Sequence, residues 1–393
     1  MSGSVRTPEF GLDACTVTQE LHQAQAASPT VVAACLARAR EGAGLDPGEM
    51  AVLWFAPQIT TEDLYETACL RPARRGRRLE TFSPLYMTNT CDAECRMCGM
   101  RRDNRALTRE TAPVDGVIEQ LRILTERGMR AVALLTGEYR KDNRAWALDY
   151  VNQALQATQA MEFKHVLINV GSIDEPEFAR LLAGVARHAD GSVRPKLTMC
   201  TFQETYSREV YTKFMGSDPD NPRADFDRRL TNFDRAQRAG MRVANPGILV
   251  GLNPDLAFEM NALARHTRHL LGLGMEVYLS VPRLRQIAGS HAQRGASDEQ
   301  FVRLVSLLSL GMPAAKIVIT TREDAPMQAK LAPIVTVLSA GSAAVAPYTP
   351  TGARFPLETS QFEVIDQRRF EDVLRQHLGN AHIQNFDPPG AAA

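Results

Sequence analysis

Three cysteines, Cys91, Cys95 and Cys98, lie close together in the stretch TNTCDAECRMCGMRR. Their spacing, C-x3-C-x2-C, calls for an irregular loop that brings three thiols to one centre. A structural zinc site is normally closed by four ligands, often two separated pairs. Here one triplet stands alone. Cys15, Cys35, Cys69 and Cys200 are scattered singly, and no C-x-x-C partner or H-x3-H pair follows. Three thiolates on a [4Fe–4S] cluster leave one iron without a protein ligand, open to a small chelating molecule. A non-enzymatic zinc site, completed by Cys200 or a histidine, is the alternative of another class.

Further candidates stand at the ends of apolar, strand-like runs. Gly137 and Glu138 follow one run, where a Gly-Glu pair by itself reads as an ordinary turn. Glu204 follows another; its carboxylate could accept hydrogen bonds from hydroxyls or cap a helix. Gly247 and Gly251 flank Val250 in PGILVGLN, a glycine pattern that allows close backbone approach. Arg283 and Arg322, in SVPRLR and ITTRED, offer planar forks suited to a carboxylate, against the usual fate of surface ion pairing. Ser339 can donate a hydrogen bond. Tyr86 offers a phenol or a packed strand aromatic.

The elements that must position these groups alternate. Residues 1–80 read as a helical extension, with Ser28–Pro29 and Asp46–Pro47 as helix starts. From there eight short apolar runs, at 85–90, 130–136, 165–171, 196–202, 244–251, 275–281, 316–320 and 334–339, are separated by amphipathic helical stretches. That pattern predicts an α/β fold, a (β/α)8 barrel over 81–345, followed by a C-terminal extension over 346–393. The extension holds a helix in RRFEDVLRQHL and ends in DPPGAAA, a tail expected to be disordered. In barrels of this kind, catalytic groups cluster at the carboxyl ends of the strands.

Composition narrows the function classes. The 393 residues are 44% hydrophobic with formal net charge +0, which removes the basic footprint of a nucleic-acid or anionic-membrane binder. A basic run, RPARRGRRLE at 71–80, could dock an acidic electron donor, but reads first as a solvated helix end. No apolar run is long enough to span a bilayer, and no secretory signal is read at the N-terminus. A cytoplasmic location with reduced thiols is expected.

The triplet, following the first strand of a predicted barrel, resembles that of the radical S-adenosylmethionine superfamily. The resemblance implies a [4Fe–4S] cluster on Cys91, Cys95 and Cys98. S-adenosylmethionine would chelate the open iron, to be cleaved by one electron to methionine and a 5′-deoxyadenosyl radical. Met97 stands where the superfamily commonly has an aromatic residue, and can still pack against a purine. Thr136, Gly137 and Glu138 resemble its Gly-Gly-Glu segment, whose backbone receives the methionine amino group. Glu204 would accept from the ribose hydroxyls and Val250 would lie beneath adenine. Arg283 is counted with these cofactor contacts.

The segments TGEYR, FQETY, SVPRLR and TTRED, in that order over about residues 80–345, look like the aromatic amino-acid lyases of that superfamily. CRMCGMRR looks like the tryptophan lyases of the NosL type, the 3-methyl-2-indolic acid synthases. This resemblance implies L-tryptophan as substrate, with Arg322 on its carboxylate and Tyr86 and Ser339 as neighbouring polar contacts. It further implies hydrogen abstraction from the amino group, migration of the carboxyl fragment to indole C2, a place in thiopeptide assembly, and an electron donor such as flavodoxin or ferredoxin. A tyrosine lyase forming p-cresol, as in thiamine synthesis, is the nearer alternative.

Overall fold

All eight apolar runs become parallel strands, and they close on themselves. In order these are β1 (Arg78–Tyr86), β2 (Ala131–Leu135), β3 (His165–Asn169), β4 (Lys196–Cys200), β5 (Val243–Asn245), β6 (Glu276–Ser280), β7 (Lys316–Ile319) and β8 (Val337–Ser339). Each pairs with the next, and β8 returns to β1 through Glu80↔Val337, Thr81↔Leu338 and Phe82↔Ser339. The protein is thus an eight-stranded (β/α)8 barrel, as expected. The structure is a computed structural model that describes residues 8–70, 78–161, 163–193, 196–285, 295–353, 365–378 and 382–387.

The strands are apolar because both faces are covered, as parallel sheets require; every residue of β2, AVALL, is buried. Two strands differ from expectation. β1 begins seven residues earlier than the apolar run, at Arg78 rather than residue 85, because its polar residues find partners that periodicity does not reveal. The Thr81 hydroxyl donates to the Leu338 carbonyl at 2.7 Å and Ser83 to that of Ala340 at 2.8 Å. β5 pairs as a strand only over Val243–Asn245. Pro246 has no N–H to continue the ladder, and Gly247, Ile248 and Val250 make isolated bridges instead.

The amino-terminal end of the barrel is plugged by a network of side chains. Tyr278 donates to Glu80 at 2.6 Å, Lys196 reaches Glu276 at 3.0 Å and the Tyr278 hydroxyl at 2.6 Å, and Lys316 bridges Glu80 and Glu276. Open space therefore lies towards the carboxyl ends of the strands.

The N-terminal extension is helical, with α1 (Ala14–Gln25), α2 (Pro29–Glu41), α3 (Pro47–Phe55) and α4 (Thr61–Cys69). The expected caps are present: Ser28 accepts from Val31 N, and Asp46 forms a capping box with Glu49. The barrel helices are α5 (Val114–Glu126), α6 (Lys141–Ala160), α7 (Glu175–Leu181), α8 (Arg208–Met215), α9 (Phe226–Leu230), α10 (Asn232–Arg238), α11 (Leu256–Gly272), α12 (Asp298–Gly311) and α13 (Ala325–Leu331). The extension packs on α11 and α12, where Arg303 donates to the carbonyls of Leu53, Trp54 and Ile59.

A short hairpin, β9 (Tyr348–Thr349) with β10 (Gly352–Ala353), precedes α14 (Phe370–Leu378), the helix expected in the C-terminal extension. A strand that the sequence did not suggest, β11 (His382–Gln384), then adds in parallel to the first residues of β1. Arg127 clamps this region, pairing with both oxygens of Glu371 at 2.6 and 2.7 Å. Residues 71–77 of the basic run and 388–393 of the tail lie outside the described residues, and the last three of the run, Arg78 to Glu80, open β1. Among the described residues, no helix is long and apolar enough to cross a membrane.

Candidate active site

Past Tyr86 the chain leaves the barrel as an irregular loop, held by side chains rather than by a helix or sheet. Asn89 accepts from Glu110 N at 2.7 Å and donates to Thr108 O at 2.8 Å. Arg109 is the main staple. Its guanidinium donates to the carbonyls of Asn89 (2.7 Å), Met100 (2.9 Å), Arg101 (2.6 Å) and Asn104 (3.3 Å), tying both ends of the cysteine loop to one plane. Arg109→Ala should therefore lower the iron taken up on reconstitution at least about twofold, with a Tm only a few degrees lower. Iron uptake equal to that of the parent would contradict this role.

The loop brings Cys91, Cys95 and Cys98 to the wall of one cavity at the barrel mouth. Backbone amides already point at two of the sulfurs: those of Ala93 and Glu138 at Cys91 (3.4 and 3.3 Å), and that of Met100 at Cys98 (3.4 Å). Burial pushes the Cys91 thiol up to about 12, and raises Cys95 and Cys98 as well. As free thiols these groups are kept protonated by burial; iron ligation would take the proton off, and the amide hydrogen bonds would then stabilise the thiolates. Among the described residues, no group of three or more His, Cys, Asp or Glu side chains is gathered to hold a single metal ion. Three sulfurs around a cavity, with no fourth protein ligand beside them in sequence, suit a four-iron cluster with one open iron. Cys200 is elsewhere, donating to Asn245 at 3.1 Å.

Gly137 is required next to the loop. A Cβ there would lie 2.1 Å from Thr90 O and 2.8 Å from the Cβ of Cys91. Glu138 follows it and is buried against two arginines, with Arg229 Nη1 at 2.6 Å and Arg223 Nε at 3.3 Å. Burial alone would raise its pKa, but the two guanidiniums outweigh that and hold the carboxyl below its usual range. Glu204 pairs with Arg223 Nη2 at 3.1 Å and has φ of +67°, a left-handed conformation costly for a side-chain-bearing residue. Buried Glu259 fixes the turn that follows, accepting from Thr205 Oγ1 at 2.5 Å and Tyr206 N at 2.9 Å.

Of the residues expected at the site, the structure brings Tyr86, Met97, Gly137, Glu138, Glu204 and Arg322 to the mouth cavity with the three cysteines. A deeper cavity lies inside the barrel. Tyr86 and Arg322 line it too; Ser339, the third group expected on the substrate, lines this cavity and not the mouth. Arg322 is kept near Tyr86, Glu204 and Cys98; burial lowers its pKa against their pull, though a guanidinium remains charged.

Two expectations are corrected. Val250 is fully buried and lines neither cavity; alternation along the segment turns Leu249 to the mouth instead. Arg283 is likewise turned away, engaged by Glu323 at 2.9 Å and by Asp298, and stacked over Phe301 at 4.7 Å. Arg285 takes the place at the cavity wall. The glycines flanking Val250 face the protein's own chain: a Cβ on Gly247 would meet the Phe202 ring at 2.7 Å, and one on Gly251 would meet Ala296 N at 2.5 Å.

Arg223 and Arg229, like Arg285 and Arg101, are charged residues at the mouth that sequence reasoning missed. The first two lie in DPDNPRADFDRRL, whose flanking acids give no sign of a buried role. Asn169 was missed as well, although it ends β3 where such residues are expected.

Comparison with known proteins agrees with this geometry. Residues 280–378 match the Biotin and Thiamin Synthesis associated domain. The chain is 28% identical over 333 residues to the 2-iminoacetate synthase of Escherichia coli (strain K12), covering 82% of each protein. It is 26% identical to that of Salmonella typhimurium over 258 residues, covering 64% of this chain and 63% of the relative. Among solved structures, HydG, a maturase of the [FeFe]-hydrogenase, superposes with TM-score 0.77 at 25% identity, over 93% of this chain and 78% of that one. Methylornithine synthase (PylB) superposes with TM-score 0.68 at 19% identity, over 89% and 98% of the two chains, a likeness of fold. The triplet, the barrel and these relatives make the chain a radical S-adenosylmethionine enzyme, a carbon–carbon lyase using a [4Fe–4S] cluster and S-adenosylmethionine.

Proposed function

We propose that the enzyme cleaves L-tyrosine between Cα and Cβ, giving p-cresol and 2-iminoacetate. The observation that carries this reading is the deeper cavity adjoining the three-cysteine site, with Arg322 on the wall of both. The relatives named 2-iminoacetate synthase support the product, and the atoms of tyrosine divide between these two products without remainder.

The residues would divide the work as follows. Cys91, Cys95 and Cys98 hold the cluster, while Met97, the Gly137 backbone and Glu204 line the side where S-adenosylmethionine would lie. When bound, that pair would supply a one-electron cleavage whose radical takes a hydrogen atom from the substrate into 5′-deoxyadenosine, and a proton with a second electron from the electron donor would replace it in p-cresol. Arg322 offers its fork to the substrate carboxylate, with Tyr86 and Ser339 beside it. Phe82, Ala133, Leu135 and Leu167 give the deeper cavity apolar walls for an aromatic ring. Cys200, Asn245 and Ser280, hydrogen-bonded to one another, give it a polar patch against which a phenol would lie. Phe202, Leu249, Pro282 and Leu284 border the mouth and help to exclude water, which radical chemistry needs.

The tryptophan reading, with 3-methyl-2-indolic acid as product, keeps the support of Met97 in place of an aromatic residue. Anaerobic turnover of reconstituted enzyme with reductant and S-adenosylmethionine, offering L-tyrosine and L-tryptophan separately, decides between them. p-Cresol from tyrosine is the expected result. 3-Methyl-2-indolic acid from tryptophan, with no p-cresol from tyrosine, would overturn it.

A further inference from the structure

We propose that Asn169 is a substrate contact whose side-chain carbonyl accepts a hydrogen bond from the substrate's α-amino group where the two cavities meet. The proposal rests on the reading of the substrate as an aromatic α-amino acid. Asn169 ends β3, paired with Leu135 of β2, and it lines the mouth cavity and the deeper one alike. Its backbone is fixed, since its carbonyl accepts from Thr136 N at 3.1 Å and Thr136 Oγ1 at 3.2 Å. Its carboxamide makes no hydrogen bond with any described residue.

The neighbouring polar groups are differently placed. Glu138 is taken by Arg229 and Glu204 by Arg223. Asn245 donates to Tyr278 O at 2.6 Å and Ser280 Oγ at 2.9 Å and accepts from Cys200. A primary amide brings two donors and an acceptor oxygen, and this one is half-buried on the cavity wall, where a ligand can take the place of water on it.

The chemistry of the junction selects the ligand group. Arg322 lines the same two cavities and suits a carboxylate. In an α-amino acid the amine is attached to the carbon that bears that carboxylate, so it must lie close to where Arg322 holds the acid. A neutral carbonyl accepts one N–H without favouring the ammonium form as a carboxylate would. That leaves a second N–H available on the side facing the cysteine triplet, as a reaction beginning at nitrogen requires.

The test compares L-tyrosine with its desamino analogue, 3-(4-hydroxyphenyl)propanoate, on the reconstituted full chain and its Asn169→Ala and Asn169→Leu variants. Loss of one hydrogen bond should weaken tyrosine by about 5- to 30-fold in both variants. The desamino analogue, S-adenosylmethionine and iron content should each stay within about twofold of the parent. Equal weakening of tyrosine and the analogue, weakening of S-adenosylmethionine alone, or no change in any of them would overturn the assignment. If the parent enzyme prefers tryptophan, the same comparison with indole-3-propanoate tests the contact unchanged. If the parent binds neither amino acid, the substrate reading fails on the parent alone and the contact falls with it.

Discussion

Cys91→Ser, Cys95→Ser and Cys98→Ser should each lose the cluster, with iron falling from about four per chain to well below one and no turnover remaining. The effect is large because the three thiols act as one unit. Two remaining thiolates leave two irons without a protein ligand, and burial favours the protonated thiols once the iron is gone, as the upward shift of Cys91 to about 12 indicates. Cys69→Ser is the matching control. Cys69 ends α4, far from the loop in sequence, and its loss should leave iron content unchanged. Full iron in any triplet variant, or lost iron in the Cys69 variant, would show that the ligands are assigned wrongly.

The second large effect is expected at Arg322. On the proposed role, Arg322→Ala would remove a charge-assisted, two-pronged contact to the substrate carboxylate, worth about 2–4 kcal/mol, so kcat/KM for the amino acid should fall about 30- to 1,000-fold. Arg322→Lys should recover part of this, since charge remains but the fork is lost. Iron content should be unchanged in both, because Arg322 is no cluster ligand. Release of 5′-deoxyadenosine without matching product would mark a substrate held in the wrong place. Unchanged turnover and product distribution in the alanine variant would remove Arg322 from the substrate.

What the sequence made legible follows from the range of the interactions involved. The cysteine triplet is local, so its spacing could be read without knowing the fold. Strands such as AVALL are buried on both faces and announce themselves by composition. β1 was read short because its early residues are polar and are satisfied only through side chains reaching β8 and its following residues. Glu138 and Arg229 meet across 91 residues, a pairing no local pattern contains. Val250 and Arg283 were expected on the cofactor; which side chain of each segment lines the mouth, Leu249 or Val250 and Arg285 or Arg283, depends on the alternation along the bridged segments after β5 and β6. β11 consists of three residues in an otherwise polar segment, too short to show a period.

The substrate is the finer question, since tyrosine and tryptophan both present a flat apolar ring with one polar handle. The relatives carry the choice of tyrosine more than any residue read alone, and Met97 remains the feature that pointed to tryptophan.

The proposed chemistry needs a cluster held by three protein ligands, with one iron left for S-adenosylmethionine. Its most direct test is the electron paramagnetic resonance spectrum of the reduced, reconstituted enzyme, recorded without S-adenosylmethionine and then with it carrying nitrogen-15 in the amino group. The account predicts a changed cluster signal with a nitrogen-15 coupling, from an iron that takes the amino nitrogen as a ligand. An unchanged spectrum at saturating S-adenosylmethionine would mean that the fourth iron is already closed, and would contradict it.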